Sequence, residues 1–432
     1  MAFQQGLSGL NSASTHLDVI SRNIANSNTV GYKSGETQFA DLFARSASGG
    51  AGGIEVGIGT RVMDVAKQFD QGKLSSTNNP LDVSINGEGF FKLNDDGAFS
   101  YTRNGQLHLD KSGYLKSNTD LTVRGYVEPI TDTATGAVTG FNTEGDIRVD
   151  FAPIPAVATD SVRLGINLDE RSSVITPTTL SSGIVPVNGI TSSDYNHATT
   201  VSVTDSAGSE HDLTLYFCKT GANEWNVYAT ADQADGSAIY DFGAVTFNTD
   251  GSFATPTGGT LSVGAAGIDV DIAGKDVDPL NITITVHDTA STDSMLTQYA
   301  AGFGVHLLEV NGQTSGELTS LSIGNNGIIN GQYSNGQTRN LAQIILSSFR
   351  DPQGLVSLGS NQWQSTEASG EEIPNRPGEG IAGMLQSGSV EDSNVDLTAE
   401  LVNLIIAQRT YQANAQSVKT QSDLLQTLVN MV

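Results

Sequence analysis

The sequence predicts a mainly β protein with an α-helix at each terminus, built as nested, discontinuous domains: coiled-coil-like terminal helices plus two β-rich domains. Three observations carry this. Apolar residues recur at every seventh position at both ends of the chain. The long stretch between them breaks into short runs of alternating polarity, separated by Gly, Asn and Asp turn signals. Within that stretch one block shifts to Thr, Gly, Ala and Asp, with few basic residues, and reads as an insertion.

In residues 1–30, Phe3, Leu10, Leu17 and Ile24 stand seven apart, and Leu7 adds an apolar position half a heptad out. This is a narrow helical stripe rather than a broad face. Asn26-Ser27-Asn28 ends it, because short polar side chains compete for backbone hydrogen bonds. Residues 31–71 read as an extended linker, Gly-rich between Ala47 and Gly59. Residues 72–154 hold runs such as Leu81 to Gly87 and Gly89 to Leu93, punctuated by Asp95-Asp96-Gly97, Asn104-Gly105 and Lys111-Ser112-Gly113. Such close turn spacing predicts a meander, sandwich or barrel.

Pro153, Pro155 and a Ser/Thr/Pro run open the inserted block, residues 155–290. Its clearest hairpin joins Thr199–Thr204 to Leu213–Phe217 across Asp205-Ser206-Ala207-Gly208, and a strand at Glu224–Ala229 follows. Residues 291–365 return to the earlier style and complete the inner β domain with 72–154. Residues 366–393 are rich in Gly, Glu and Pro and read as a mobile linker.

From Asp396 to Val432 there is neither Gly nor Pro, and Leu404, Tyr411, Val418, Leu425 and Val432 stand seven apart. A second seam, Leu401, Gln408, Ala415, Ser422 and Val429, mixes apolar, small and polar members. A helix of this length spans roughly 50 Å, and Asn394 or Asp396 is positioned to cap its start. The segments 1–30 and 394–432 are expected to pair as a terminal helical polymerisation domain. Seams of this composition bury little area, so the pair needs neighbouring copies to cover the rest. The residues expected at that interface are Phe3, Leu7, Leu10, Leu17, Ile24, Leu401, Leu404, Tyr411, Val418, Leu425 and Val429.

The chain carries 47 acidic against 21 basic residues, a net charge of −26, and no Lys/Arg cluster. Such a surface repels nucleic-acid phosphates and anionic lipid. The lone Cys218 excludes an intrachain disulfide and sits in a strand-like run, as a buried structural thiol would. No apolar run approaches the length of a membrane span, and the first residues lack the basic and apolar regions of a Sec signal peptide. The six histidines are scattered, and no HExxH pair, G-x-S-x-G elbow or P-loop is present. Gly378, Gly380 and Gly383 spell G-x-G-x-x-G, but outside any βαβ unit. The expectation is therefore no enzyme, no cofactor and no metal.

Three segments resemble the flagellar rod and hook family of axial proteins. The first is Leu17 to Lys33, centred on Asn23-Ile24-Ala25-Asn26 and Gly31-Tyr32-Lys33. The second is Leu81 to Leu115, with Gly89-Phe90-Phe91 and Tyr101-Thr102-Arg103-Asn104-Gly105. The third runs from Ser393-Asn394-Val395-Asp396-Leu397 through Ala407 to Ala415. The inserted block and Phe39-Ala40-Asp41-Leu42-Phe43 are similar to the hook branch rather than to the shorter distal-rod members. The resemblance implies a structural subunit of the hook, a curved helical homopolymer that transmits motor torque while bending, with no catalysis. It implies export through the flagellar type III apparatus to an extracellular position. It also implies contacts with the distal rod protein, the hook cap protein and the hook–filament junction protein. A distal-rod protein and a secreted β-rich adhesin are the alternatives.

Overall fold

The computed structural model describes residues 2–44, 56–127, 129–131, 138–177, 180, 190–231, 238–263, 267–268, 279–287 and 295–430. Most of the expected Gly-rich linker after the first helix, residues 45–55, lies outside them. The chain divides into two compact units. The first comprises residues 1–151, 319–332 and 338–432, and the second residues 152–318 and 333–337.

In the first unit, helix α1 (Ala2–Ala25) leads into a two-stranded antiparallel hairpin, β1 (Gly35–Ala44) and β2 (Val56–Lys67). The hairpin occupies much of the segment expected to be a linker. Its pairing is interrupted by register shifts after Gln38 and Leu42, which bend and twist the ribbon. It lies on α1, where Ser12 Oγ donates to the Thr60 carbonyl.

The β core of this unit is assembled from distant parts of the chain. Strand Phe90–Asp95 pairs with Ala98–Thr102 through the Asp95-Asp96-Gly97 turn, and with Thr122–Tyr126 and Leu346–Ser348. Alternating apolar residues turn inward: Val83, Ile85, Phe91, Leu93, Leu115, Val123, Ile147, Ile344 and Leu346 form one buried cluster. Removing such side chains from water supplies about 1.5–3 kcal/mol each. A second, aromatic cluster joins Phe90, Tyr101, Phe349 and Trp363 with Phe69 at its edge. Its rings meet edge-to-face or tilted, as their quadrupoles favour.

Residues 366–393 are woven into the unit rather than left as a free linker. Ile373–Asn375 pairs with Leu346–Ser348, Met384–Ser387 with Val83–Asn86, and Ser389–Glu391 with Leu74–Ser76. Glycines with positive φ at 370, 378, 380 and 388 make the bends between these short strands. Polar and Gly-rich composition hid them, and two of the three pair with strands about 300 residues upstream. Helix α2 (Leu397–Asn430) closes the chain.

The second unit is a sandwich of two five-stranded sheets. One is an antiparallel meander, from His197–Thr204 through Glu210–Gly221, Glu224–Ala231 and Ile239–Phe247 to Phe253–Thr255. In its first hairpin Thr199 faces Leu215 and Val203 faces His211. The other sheet centres on Ser161–Asn167, with Thr283–Thr285 and Leu296–Thr297 parallel on one side and Gly304–Val310 antiparallel on the other. Inward residues of both sheets, among them Leu164, Ile166, Leu215, Trp225, Val227, Val245 and Ile284, form one core. Residues 295–318 thus belong to this unit, although their composition had placed them in the inner domain. Local pattern gives a strand but not its partner, and the partner here is Ser161–Asn167.

Cys218 is fully buried in the meander. Burial, with the Asp194 charge nearby, pushes its thiol up to about 12. A thiol held protonated in this way is a packing element and no nucleophile.

Candidate functional site

The two terminal helices pack against each other as an antiparallel pair. A Cβ on Gly6 would lie 2.8 Å from Val418 Cγ2, and one on Gly9 3.0 Å from Asn414 Nδ2. At the other end Asn23 bonds Glu400. This pairing sets α1's first residues opposite the region of Gln421, so the last turns of α2 run past the end of α1. That is why Leu425, in register with the seam, is 56% exposed.

The contact surface of α1 is made of small and polar residues, Gly6, Gly9, Ser12, Ala13 and Asn23, together with Val19 and Ile20. The heptad stripe of Leu10, Leu17 and Ile24 is only half-buried, on the flank of this surface, and Leu7 points largely to solvent. The side chains of Phe3 and Val429 lie outside the described residues. On α2, Leu404, Ala407, Asn414 and Val418 are at least half-buried, with Tyr411 at the margin. The second seam points elsewhere: Leu401 is exposed, as are Gln408 and Ser422. Around it Leu397, Val402, Ile405 and Ile406 are exposed as well, the last at 57%. A cluster of exposed apolar residues like this one in the first turns of α2 marks a surface made to be covered.

A cleft of about 580 Å³ opens between α1, α2 and the β1–β2 hairpin, lined by Gly9, Ala13, His16, Phe39, Ile406 and Ala407 among others. It continues the exposed apolar face of α2.

Below the helices, the signature residues build an anchor. Asn23 is buried, and every polar position of its amide is used. Nδ2 donates to the Gly35 carbonyl and to Glu400 Oε1, each at 2.9 Å. Oδ1 accepts from Gly35 N–H at 2.9 Å and from the Tyr32 hydroxyl at 3.2 Å. One side chain thereby joins α1, the hairpin and α2. Ala25 is exposed, and Asn26 donates from Nδ2 to the Arg22 carbonyl, closing the last turn of α1. Gly31 adopts φ +70° with the Asn104 nitrogen 2.7 Å from where a Cβ would stand, so only glycine fits. Its N–H donates to the Glu391 carbonyl at 2.7 Å.

Lys33 is the centre of this anchor. Its side chain is fully buried, and Nζ lies 2.6 Å from Glu391 Oε1 and 2.7 Å from the Asp70 carbonyl. Glu391, also fully buried, accepts from Gly72 N–H at 2.8 Å and meets Arg103 Nη1 at 3.3 Å. Burial outweighs the Glu391 attraction and lowers the Lys33 pKa below its ordinary value, with Arg103 adding to the fall. At the start of α2, Asp396 Oδ1 accepts from Thr398 and Ala399 N–H and is the helix cap. Asn394 instead ties the strand before α2 to the hairpin, accepting from Ser34 N–H and donating to the Gln68 carbonyl. The sequence motifs marked Asn23, Tyr32 and Lys33. The partners Glu400 and Arg103 carried no signal beyond their place in the resembling segments, and Glu391 lies outside those segments.

Among the described residues no three His, Cys, Asp or Glu side chains are grouped to hold a metal ion, and no helix is long and apolar enough to cross a membrane.

Four family descriptions match the chain. These are the flagella basal body rod protein over residues 3–33 and the flagellar hook protein FlgE/F/G D1 domain over 84–169. The flagellar basal body protein FlaE D2 domain follows over 167–313, and the flagellar basal body rod FlgEFG protein C-terminal over 386–431. The chain is 38% identical to the flagellar hook protein FlgE of Salmonella typhimurium over the full length of both chains. Its identity to the flagellar hook protein FlgE of Borreliella burgdorferi is 30%, covering 99% of this chain and 98% of that one. The crystal structure of Helicobacter pylori flagellar hook protein FlgE2 is similar in fold, with a TM-score of 0.51 at 14% identity, covering 73% of this chain and all of that one.

Proposed function

The chain belongs to the flagellar hook protein family, and from that membership we propose how it serves as the structural subunit of the bacterial flagellar hook. The relatives that match it end to end are hook proteins, which leaves the distal-rod and adhesin alternatives without support. The family is a structural one, and the chain's place is in the flagellum, outside the cell.

The observation that carries the mechanism is the pair of terminal helices, packed on each other while the first turns of α2 leave Leu397, Leu401, Val402, Ile405 and Ile406 exposed. In a helical homopolymer, neighbouring copies would cover Leu401, Val402, Ile405 and Ile406, and the overhanging turns around Leu425 would reach the next copy. Burial of these side chains drives the assembly. Torque passes from this inner layer to the β part of each subunit through the Asn23 and Lys33 anchor. A buried anchor of this kind transmits force because its hydrogen bonds and ion pair tie α1, the hairpin and α2 to one another. The β domains, nested between the two ends and polar outside, exchange contacts through water as the tube bends. Export by the flagellar type III route, and contacts with the distal rod, hook cap and hook–filament junction proteins, complete the proposal.

Removing residues 425–432 tests it. The shortened chain should stay monomeric while both β units keep their wild-type melting temperatures. Tubes of normal yield from that variant would refute the assignment of the overhang.

A further inference from the structure

The cleft of about 580 Å³ between α1, α2 and the β1–β2 hairpin is distinguished by its lack of charge. None of its lining residues is Asp, Glu, Lys or Arg, in a chain of net charge −26. Ala13 and Ala407 line it as small, buried side chains, while Phe39 and Ile406 are 49% and 57% exposed. The His16 ring meets Phe39 edge-on, with centroids 5.6 Å apart, and supports that aromatic wall. Thr410 and Asn414 add neutral hydrogen-bonding groups.

A second surface of the same kind stands at the far end of α2. From Leu424 to Asn430 the helix carries no charged side chain. Leu424 and Leu425 are 60% and 56% exposed, on the turns that run past the end of α1. Gln426, exposed beside them, brings a neutral amide like those of the cleft.

We propose that the overhang of one copy docks in the cleft of the next, with Leu424 and Leu425 against Phe39, Ile406 and the two alanines. This deepens the polymer reading above and rests on it. Each partner surface leaves apolar side chains in water that the other would cover. Between copies of an acidic chain, most surfaces repel on approach. These two meet without opposing like charges and without desolvating any charge. Tip and cleft are also different surfaces of one copy, roughly 22 Å apart along α2 from Thr410 to Leu425. A contact between them is head-to-tail, so it does not close on a two-fold axis. Every copy offers one tip and one cleft, and the contact repeats into a filament.

The test is a charge swap in the full-length chain, read as the critical concentration for assembly by sedimentation. Phe39→Lys and Leu425→Glu should each raise it at least several-fold. Both positions are exposed in a single copy, so both β units should keep their melting temperatures. The double variant sets an anion on the tip against a cation in the cleft, and should return close to the wild-type value. A double variant no better than the worse single one would overturn the contact. A second measurement covers variants that fail to fold. Thr410→Cys with Leu425→Cys is assembled and then oxidised. A disulfide needs Cα atoms within about 7 Å, so these two positions of one helix cannot bridge each other and any bond between them joins two copies. Cys218 is buried and takes no part. A ladder of covalent oligomers is expected on a non-reducing denaturing gel, with neither single-cysteine variant giving one. Polymers without the ladder would overturn this contact and leave the polymer reading standing. A wild-type chain that never assembles would overturn both.

Discussion

Lys33 and Glu391 stand 358 residues apart and share a hydrogen bond with no water around it. Isolating either charge is expensive. Lys33→Ala would leave the Glu391 carboxylate with the Gly72 N–H and the longer Arg103 contact, and breaking a buried pair from one side costs about 3–5 kcal/mol. The first unit of this variant should melt lower by that amount in denaturant titration, while the second unit is unchanged. Lys33→Met, which restores the bulk but not the cation facing Glu391, should do little better. Asp205 offers a second case, in the other unit. Burial alone would raise its pKa, but the His211 ring at 3.0 Å and the N–H groups of Ser209 and Ala207 outweigh it and hold it below the usual carboxylate value. A depressed pKa adds stability that is complete above the unfolded value, about 3.9, and is lost as pH falls through the folded value. The stability gap between the wild type and Asp205→Asn should therefore be widest near neutral pH and shrink below about pH 4. A gap that widened on acidification would refute the account.

At the scale of elements, α1 and α2 approach closely because α1 presents glycine where α2 presents Val418 and Asn414. Helix propensity alone would favour replacing either glycine, by up to about 1 kcal/mol. Packing reverses the sign. Gly6→Val would drive two methyl groups into Val418, and overpacking of this kind costs about 1–3 kcal/mol. The critical concentration for assembly should rise at least several-fold in that variant, with the melting of both β units unaltered. The β1–β2 hairpin has the same dependence on small contacts, since a Cβ on Gly59 would collide with Ser8 Oγ. Apolar periodicity detected the two helices. It marked α2's side of the face they share, through Leu404 and Val418, but missed α1's side, because close approach selects small residues and those leave no hydrophobic signal. The exposed apolar residues around Leu401 were visible in the sequence for the complementary reason, since they remain apolar without being covered inside one chain.

At the scale of the whole molecule, the net charge of −26 acts against assembly. Like-charged subunits repel, and salt screens that repulsion over a Debye length of about 10 Å at 0.1 M. Raising monovalent salt from about 20 to about 200 mM should lower the critical concentration for polymer growth. An assembly that weakened with salt would indicate that ion pairs, rather than apolar burial, hold the copies together. The acidic surface is compatible with a bending tube. Charged, hydrated faces make few fixed contacts and so lose little when those contacts shift.

The sequence by itself determined the class of fold and the position of its ends. Heptad spacing marked both helices, turn residues such as Asp95-Asp96-Gly97 and Asp205 to Gly208 marked hairpins that the structure contains, and the Asn23 and Lys33 motifs marked the anchor. These are local signals, set by side-chain periodicity and by the few residues a tight turn admits. Tertiary structure alone decided the rest. It gave residues 373–391 their strand partners, assigned Gly304–Val310 to the sandwich, and joined Lys33 to Glu391 and Asn23 to Glu400. Those pairings join segments far apart in the chain, up to 377 residues for Asn23 and Glu400, and their energy exists only when both partners are buried together. A polar residue such as Glu391 reads as solvated surface in the sequence, and becomes the keystone of an anchor only once the fold has removed its water.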